Sequence, residues 1–314
     1  MNELFLILAA LGPVFALVAL GAGFRVINFP AAEFWPLAER FTYYLLFPVL
    51  LVLKISTAEL PQQGVGSVVM ALLALLLLTS VASLLLSRLL DLKPPQQSSL
   101  FQGGVRFNTY VGLAAAVELF GEPGLLWGAL FLGLMIPLVN VVCVAVFIVS
   151  GSSNQGWRGL GLSLLKNPLI LACLLGGGLN LSGIGMPSPL IPVLGLLGQM
   201  ALPLGLLAVG VGLDLKVLRG GGSTLWGACG LKLLLSPLLF LLLAHLLSLP
   251  VEATSVLLIF AALPTASSAY ILARQMGGDA PLMAGIITVQ TLLAMVTIPL
   301  LLSAVGWAGL VSLP

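Results

Sequence analysis

Long apolar segments separated by short polar ones make up most of this chain. A helix of about 20 apolar residues spans the hydrocarbon core of a bilayer, and charges, prolines and glycines mark where one such helix ends and the next begins. On this basis the sequence predicts ten membrane-spanning helices, at residues 3–23, 33–54, 65–87, 97–119, 124–149, 164–182, 189–213, 223–247, 251–274 and 282–305.

A polar, glycine-containing stretch between the fifth and sixth predicted spans divides the chain. It runs from Ser150 to Arg158, and its composition is typical of a flexible connection. We therefore expect an N-terminal repeat at 1–150, a cytoplasmic linker at 151–163 and a C-terminal repeat at 164–314.

The two halves also resemble each other in sequence. Three prolines recur at a constant offset of 155 positions, where Pro13, Pro48 and Pro95 return as Pro168, Pro203 and Pro250. Roughly half a match is expected by chance at one offset. Two membrane units with an odd number of spans must face opposite ways in the bilayer, and such inverted repeats are typical of secondary transporters. The sequence therefore predicts an all-α integral membrane fold of ten transmembrane helices in two inverted five-helix repeats.

Composition agrees with a membrane protein and argues against several other functions. Of the 314 residues 60% are hydrophobic and 7% charged, with mean hydropathy +1.20, whereas soluble domains have about a quarter charged residues. The net charge of +2 is too small to indicate nucleic-acid binding. One histidine and three cysteines within apolar runs offer no metal-ligand spacing, so we expect no metal, no cofactor and no enzyme active site.

Positive charges fall almost entirely on one side of the predicted topology. Short cytoplasmic loops retain Lys and Arg. The even-numbered loops contain Lys54, whereas the cations in or beside the odd-numbered loops are Arg25, Arg88, Lys93, Arg158, Lys166, Lys216, Arg219 and Arg274. The odd loops are therefore predicted to be cytoplasmic, with both termini on the periplasmic or extracellular side.

Two predicted spans contain residues that do not suit a continuous helix facing lipid. The fourth has two glycines, Arg106 and Asn108 near its centre, and the ninth has Pro264, which removes a backbone donor and clashes with the preceding turn. Asn108 and Thr265 lie 157 positions apart, so the two interruptions occupy matching places in the repeats. The further positions predicted to interrupt a helix are Gly112, Pro48 and Pro203.

Interrupted backbone at membrane depth is tolerated where it is buried in protein or lines a water-filled cavity. Two such helices in inverted repeats are expected to cross near the midplane, where the N-termini of half-helices carry partial positive charge. The pattern predicts a site for a small anion there. The alternative is that Pro264 and Gly112 produce simple packing kinks.

Short polar side chains at the two interruptions are the first candidates for substrate contact. They are Asn108 and Thr109 on one side and Pro264, Thr265 and Ser267 on the other. The alternative role, which is compatible with the first, is local capping of the broken helix ends.

Charged and amide side chains within the spans provide a second set of candidates. Arg106 is expected to hold a substrate carboxylate or to pair with Glu118 or Glu39, because an unpaired ion in the membrane costs about 3 kcal/mol or more. Lys232 is predicted to supply a positive charge near the crossing in place of a bound cation, unless an acid elsewhere neutralises it. The weaker candidates for charge or coupling are Glu39, Gln199 and Gln290.

Several segments together resemble the auxin efflux carrier family, which includes the plant PIN-FORMED carriers and bacterial malonate-type transporters. They are Asn108–Leu113, Phe120–Gly124, Lys166–Pro168, Leu202–Gly210, Ala261–Thr265 and Ala273–Gln275. The resemblance implies ten helices with a crossover of the fourth and ninth, as in bile-acid transporter and sodium/proton antiporter folds. It also implies elevator-type transport of small organic anions, a homodimer, and a pocket-lining role for Asn140.

The chain departs from the plant carriers in two places. Phe107 stands where those carriers have a proline before the crossover asparagine, and their long central cytosolic loop is reduced here to the short linker. A small carboxylate handled at a bacterial inner membrane is therefore favoured over auxin. The alternatives are a gated anion channel and a symporter coupled to protons or sodium.

Overall fold

The computed structural model describes residues 3–58, 64–151, 167–214 and 222–308. These residues are helical and contain no strand, as the sequence predicts. The helices are α1 Glu3–Ile27, α2 Phe34–Phe41, α3 Phe47–Thr57, α4 Val65–Leu89, α5 Pro94–Val105, α6 Thr109–Val149, α7 Pro168–Leu181, α8 Ile191–Gly212, α9 Ser223–Gly230, α10 Ser236–Leu246, α11 Val251–Ala261, α12 Ser268–Met276 and α13 Ala280–Trp307.

Seven helical stretches in the described part of the chain are long and apolar enough to cross a bilayer. One of them is the 56-residue stretch Pro94–Val149, which contains a break at Arg106–Asn108 and a kink at Gly121 (φ 58°, ψ −131°). Two further apolar helices, α7 and α11, are shorter. The protein is therefore an integral membrane protein, while the count of ten spans stays a prediction. The linker at 151–163 and the cations Arg158, Lys166, Lys216 and Arg219 lie outside the described residues.

The first predicted interruption separates α5 from α6. Arg106 and Asn108 have extended backbone, with φ/ψ of −75°/156° and −85°/104°. Gly103 and Gly104, near the end of α5, disfavour helix. Phe107 is 6% exposed and its ring packs on Phe131 with centroids 4.7 Å apart. The apolar contact of Phe107 thus anchors the interruption in the core without a proline.

The second interruption separates α11 from α12. Helix α11 ends at Ala261, and Pro264 lies in the non-helical segment before α12 begins at Ser268. Proline lacks the N–H that would continue the ladder, so the break follows from the covalent structure. Helices α5 and α11 begin at Pro94 and Val251, which are 157 positions apart, the offset that also relates Asn108 to Thr265.

Three other positions predicted as breaks do not end a helix, which corrects the prediction. Gly112 lies inside α6, where a Cβ would overlap the side chains of Leu263 and Phe260, so it permits a close approach to the second interruption. Pro203 lies inside the continuous α8. Pro48 lies inside a helical stretch that continues from Phe34 to Thr57, directly after the π-helical segment Thr42–Leu46.

The helices form two groups by their packing. The first helix group is α1, α2, α3, α7 and α8, and the second is α4, α5, α6 and α9 to α13. Within the first group α1 packs closely on α8, because Gly21 and Gly210 have no Cβ to overlap the backbone carbonyls of Leu207 and Val18. Both interruptions belong to the second group.

Candidate functional site

The two interrupted segments contact each other directly. The backbone N–H of Asn108 donates to the carbonyl oxygen of Pro264 at 2.8 Å. Asn108 is 1% exposed and Thr265 is fully buried. Each segment therefore provides a hydrogen-bond partner for a backbone group that the other leaves unpaired where its helix is interrupted.

Gln290 of α13 forms hydrogen bonds to the second interruption and to the end of α5. Its Oε1 accepts the N–H and the hydroxyl of Thr265 at 2.9 and 2.7 Å, and its Nε2 donates to the carbonyls of Gly103 and Ala228, both at 3.0 Å. The side chain is fully buried. One amide side chain thus links α5, the second interruption and α9. Gln290, which was predicted as a candidate for coupling, therefore holds these segments together. Pro264, Thr265 and Gln290 are not among the described residues that line the cavity considered next.

A cavity of about 610 Å³ lies between the two helix groups at the crossing. Its volume is within the range of small-molecule sites in proteins. The second group contributes the predicted candidates Arg106, Asn108, Thr109, Asn140 and Ser267. The first group contributes Glu39, Tyr43 and Asn167 among others.

Three helices begin at this cavity. Asn108 Oδ1 accepts the N–H groups of Tyr110 and Val111 in the first turn of α6, and Asn167 Oδ1 accepts those of Leu169 and Ile170 in α7. Ser267 is the N-cap position of α12. The capping role that was the alternative for Asn108 is thus present. Partial positive charge at three helix starts favours an anion in the cavity.

Arg106 follows α5 and points its guanidinium into the same region. Its Nη2 lies 3.4 Å from Ser268 Oγ, whereas its Nη1 is buried without a hydrogen-bond partner. The two ion pairs of the described residues are Arg25–Asp214 and Lys54–Glu122, so Arg106 pairs with neither Glu118 nor Glu39 there. Because no carboxylate of the described residues neutralises it, the guanidinium would attract an anionic ligand to the cavity that Arg106 lines.

Glu39 enters the cavity from α2. Its Oε1 accepts the hydroxyl of Ser267 at 3.0 Å, which connects the first helix group to the start of α12 in the second. The Ser267 hydroxyl therefore does not cap its own helix.

Lys232 lies beside the crossing but outside the large cavity. It belongs to the π-helical segment Leu231–Leu235 and is 4% exposed. A small void of about 10 Å³ is bounded by Lys232, Gly104, Phe107 and Ala261. Lys232 thus lies beside the ends of α5 and α11, next to both interruptions.

Gln199 is on an exposed face of α8 and away from the cavity. No group of three His, Cys, Asp or Glu side chains that could hold a metal occurs among residues 3–58, 64–151, 167–214 and 222–308.

Sequence reasoning missed several polar residues of the cavity, namely Tyr43, Asn167 and Ser268. Asn167 had a detectable signal, since an asparagine followed by proline marks a capped helix start. Tyr43 had none, because a tyrosine inside an apolar span does not indicate which neighbour it faces.

Two substitutions of Asn108 distinguish its capping of α6 from the effect of a negative charge at this position on anion uptake. Asn108→Ala removes the cap of α6 and is expected to lower the unfolding free energy by about 1–2 kcal/mol. Asn108→Asp keeps the acceptor, so its melting temperature should stay near that of the wild type, while its negative charge beside Arg106 should weaken anion uptake. Thermal melts and uptake in proteoliposomes measure both. An alanine variant that melts like the wild type would contradict the capping role.

Lys232→Met tests whether transport needs the positive charge of Lys232 when the stability of the protein is kept. Methionine fills a similar volume without burying a charge, so the melting temperature should be equal or higher. Uptake should fall at least tenfold, because the positive charge beside the crossing is lost. Uptake and pH dependence equal to wild type would remove Lys232 from the mechanism.

Two comparisons with known proteins relate this chain to membrane transport proteins. Residues 158–302 match the family model described as membrane transport protein. A protein of Methanothermobacter thermautotrophicus named "Uncharacterized transporter" is 29% identical over 192 residues, which cover 61% of this chain and 62% of that protein. The alignment thus spans less than two thirds of the relative's length.

The apolar helices and these matches thus make the chain similar to membrane transport proteins. The match over residues 158–302 confirms the resemblance to the auxin efflux carrier family, whose model is described as membrane transport protein.

Proposed function

We propose that the protein carries small organic anions across the membrane and binds them in the 610 Å³ cavity at the crossing of the interrupted helices. The observation that carries the proposal is the position of Arg106, which makes no ion pair among the described residues, in the lining of a cavity where three helices begin. A guanidinium binds carboxylates through charge-assisted hydrogen bonds, and helix starts add to the attraction. Carboxylates are therefore the cargo that this chemistry favours.

The proposed architecture is two inverted five-helix repeats with ten spans. The 157-position offset supports it, since this offset relates both the starts of α5 and α11 and the two interruptions. In inverted repeats such a pair of broken helices surrounds the substrate site.

Alternating access is proposed to occur by movement of the second helix group against the first. The cavity lies between the groups and is lined from both sides, so relative sliding would expose it to one side of the membrane and then the other. Its lining extends from Asn108 at the crossing to Pro36, near the start of α2, and Gln275, near the end of α12. In the proposed topology those ends face the cytoplasm, which makes this conformation inward-open.

Uptake by purified protein in liposomes tests the proposal. Radiolabelled mono- and dicarboxylates are expected to enter with saturable kinetics and to show counterflow, which a gated anion channel does not. Parallel assays with and without sodium and at several pH values identify the coupling ion. If no carboxylate is transported or stabilises the protein against heat, the anion-carrier proposal is wrong.

A further inference from the structure

The charged side chains of the cavity are unequally available to a ligand. Among the described lining residues they are Glu39, Arg40 and Arg106. Arg40 stacks on the ring of Tyr44, with its Cζ 6.0 Å from the ring centroid. Arg106 retains a buried donor without a partner, whereas Glu39 already holds the hydroxyl of Ser267. The cavity lining thus has two guanidinium groups and one carboxylate, and the carboxylate already accepts a hydrogen bond.

Glu39 lies where a second substrate carboxylate would be drawn. Ser267 is at the start of α12, one of the three positive helix ends at the cavity, and its hydroxyl donates to Glu39 Oε1 at 3.0 Å. A carboxylate of the protein therefore uses this donor and offsets the local positive charge. A second negative group on the cargo would meet a like charge there, and like charges at close range in a partly desolvated site repel strongly.

We infer that Glu39 is a specificity-determining residue that restricts the cargo to singly charged carboxylates. Arg106 would take the one carboxylate of the substrate, and Glu39 would exclude ligands that bring a second. This inference rests on the proposed function, since it assigns the charge class of the anion bound in the same cavity.

Size-matched acid pairs test the inference. The pairs are propionate and malonate, butyrate and succinate, and phenylpropionate and phenylsuccinate. Each acid is measured by thermal stabilisation of the purified protein and by uptake into proteoliposomes. The wild type is expected to favour the monocarboxylate of a pair. Glu39→Gln should shift the ratio toward the dicarboxylate by about tenfold, which corresponds to about 1.4 kcal/mol.

Three further variants distinguish charge from structure. Glu39→Asp keeps the charge and should retain the wild-type preference. Glu33→Gln removes an exposed carboxylate before α2, outside the described cavity lining, and should change nothing. Ser267→Ala removes the donor but keeps the charge of Glu39, so it should retain the preference for the monocarboxylate.

The outcomes separate the two proposals. A wild type that favours dicarboxylates, or an unchanged ratio in a folded Glu39→Gln, overturns the role of Glu39 and leaves anion transport standing. If Glu39→Gln does not fold, a preference for dicarboxylates in Glu39→Asp or Ser267→Ala, which both keep the charge, overturns it. A wild type that neither binds nor transports any of the six acids overturns the proposed function together with this inference.

Discussion

Gln290→Leu is expected to lower the melting temperature of the detergent-solubilised protein by about 10 °C or more and to abolish transport. The substitution removes both ends of an amide that bonds Thr265, Gly103 and Ala228 in a fully buried place. Each buried polar group left without a partner costs about 1–3 kcal/mol, so the total loss should be about 3–5 kcal/mol. Scanning fluorimetry and size-exclusion chromatography measure it.

Two controls show whether the effect comes from these bonds. Gln199→Leu makes the same change on the exposed face of α8 and should leave the melting temperature within about 2 °C. Gln290→Glu keeps the acceptor for Thr265 but loses the donor to Gly103 and Ala228, so an intermediate loss is expected. Equal melting of Gln290→Leu and wild type would show that the two interruptions do not depend on this amide.

Arg106→Gln should leave the protein folded and lower carboxylate affinity by about 100-fold, equivalent to about 2.7 kcal/mol. The reason is that glutamine retains some donor capacity but no positive charge, and hydrogen bonds with a charged partner are about twice as strong as neutral ones. The fold is expected to survive because Arg106 makes no ion pair among the described residues.

Matched variants identify the source of that loss. Arg106→Lys keeps the charge without the planar fork and should recover part of the affinity. Arg274→Gln changes a cation of α12 outside the described cavity lining, where it stacks on Tyr270, and should transport normally. If Arg274→Gln and Arg106→Gln lose affinity equally, overall charge rather than the site governs binding.

The sequence predicted that the chain is helical and where two helices are interrupted. It predicted the roles of some individual side chains and not of others. Pro264 indicated its interruption because its missing N–H acts locally. Asn108 was identified as a residue of the crossing, and it does line the cavity. Gly112 and Pro203 were wrongly predicted as breaks, because a glycine or proline inside a helix is tolerated when neighbouring helices pack around it.

Gln290 and Glu39 show why the remainder could not be predicted. Both were weak candidates, because a single amide or carboxylate in a span does not reveal its partner. Gln290 binds Gly103, which is 187 positions away, and Glu39 binds Ser267, which is 228 positions away. No local pattern encodes pairings of this length.

The amino-acid sequence by itself determined that the chain is a helical membrane protein and where two of its helices are interrupted, since hydropathy and backbone chemistry act within a few residues. Only the tertiary structure decided that the interruptions touch through Asn108 and Pro264, that Gln290 holds them, and that Arg106 lines a cavity beside them. These features arise from packing between helices far apart in sequence, and such contacts exist only once the chain has folded.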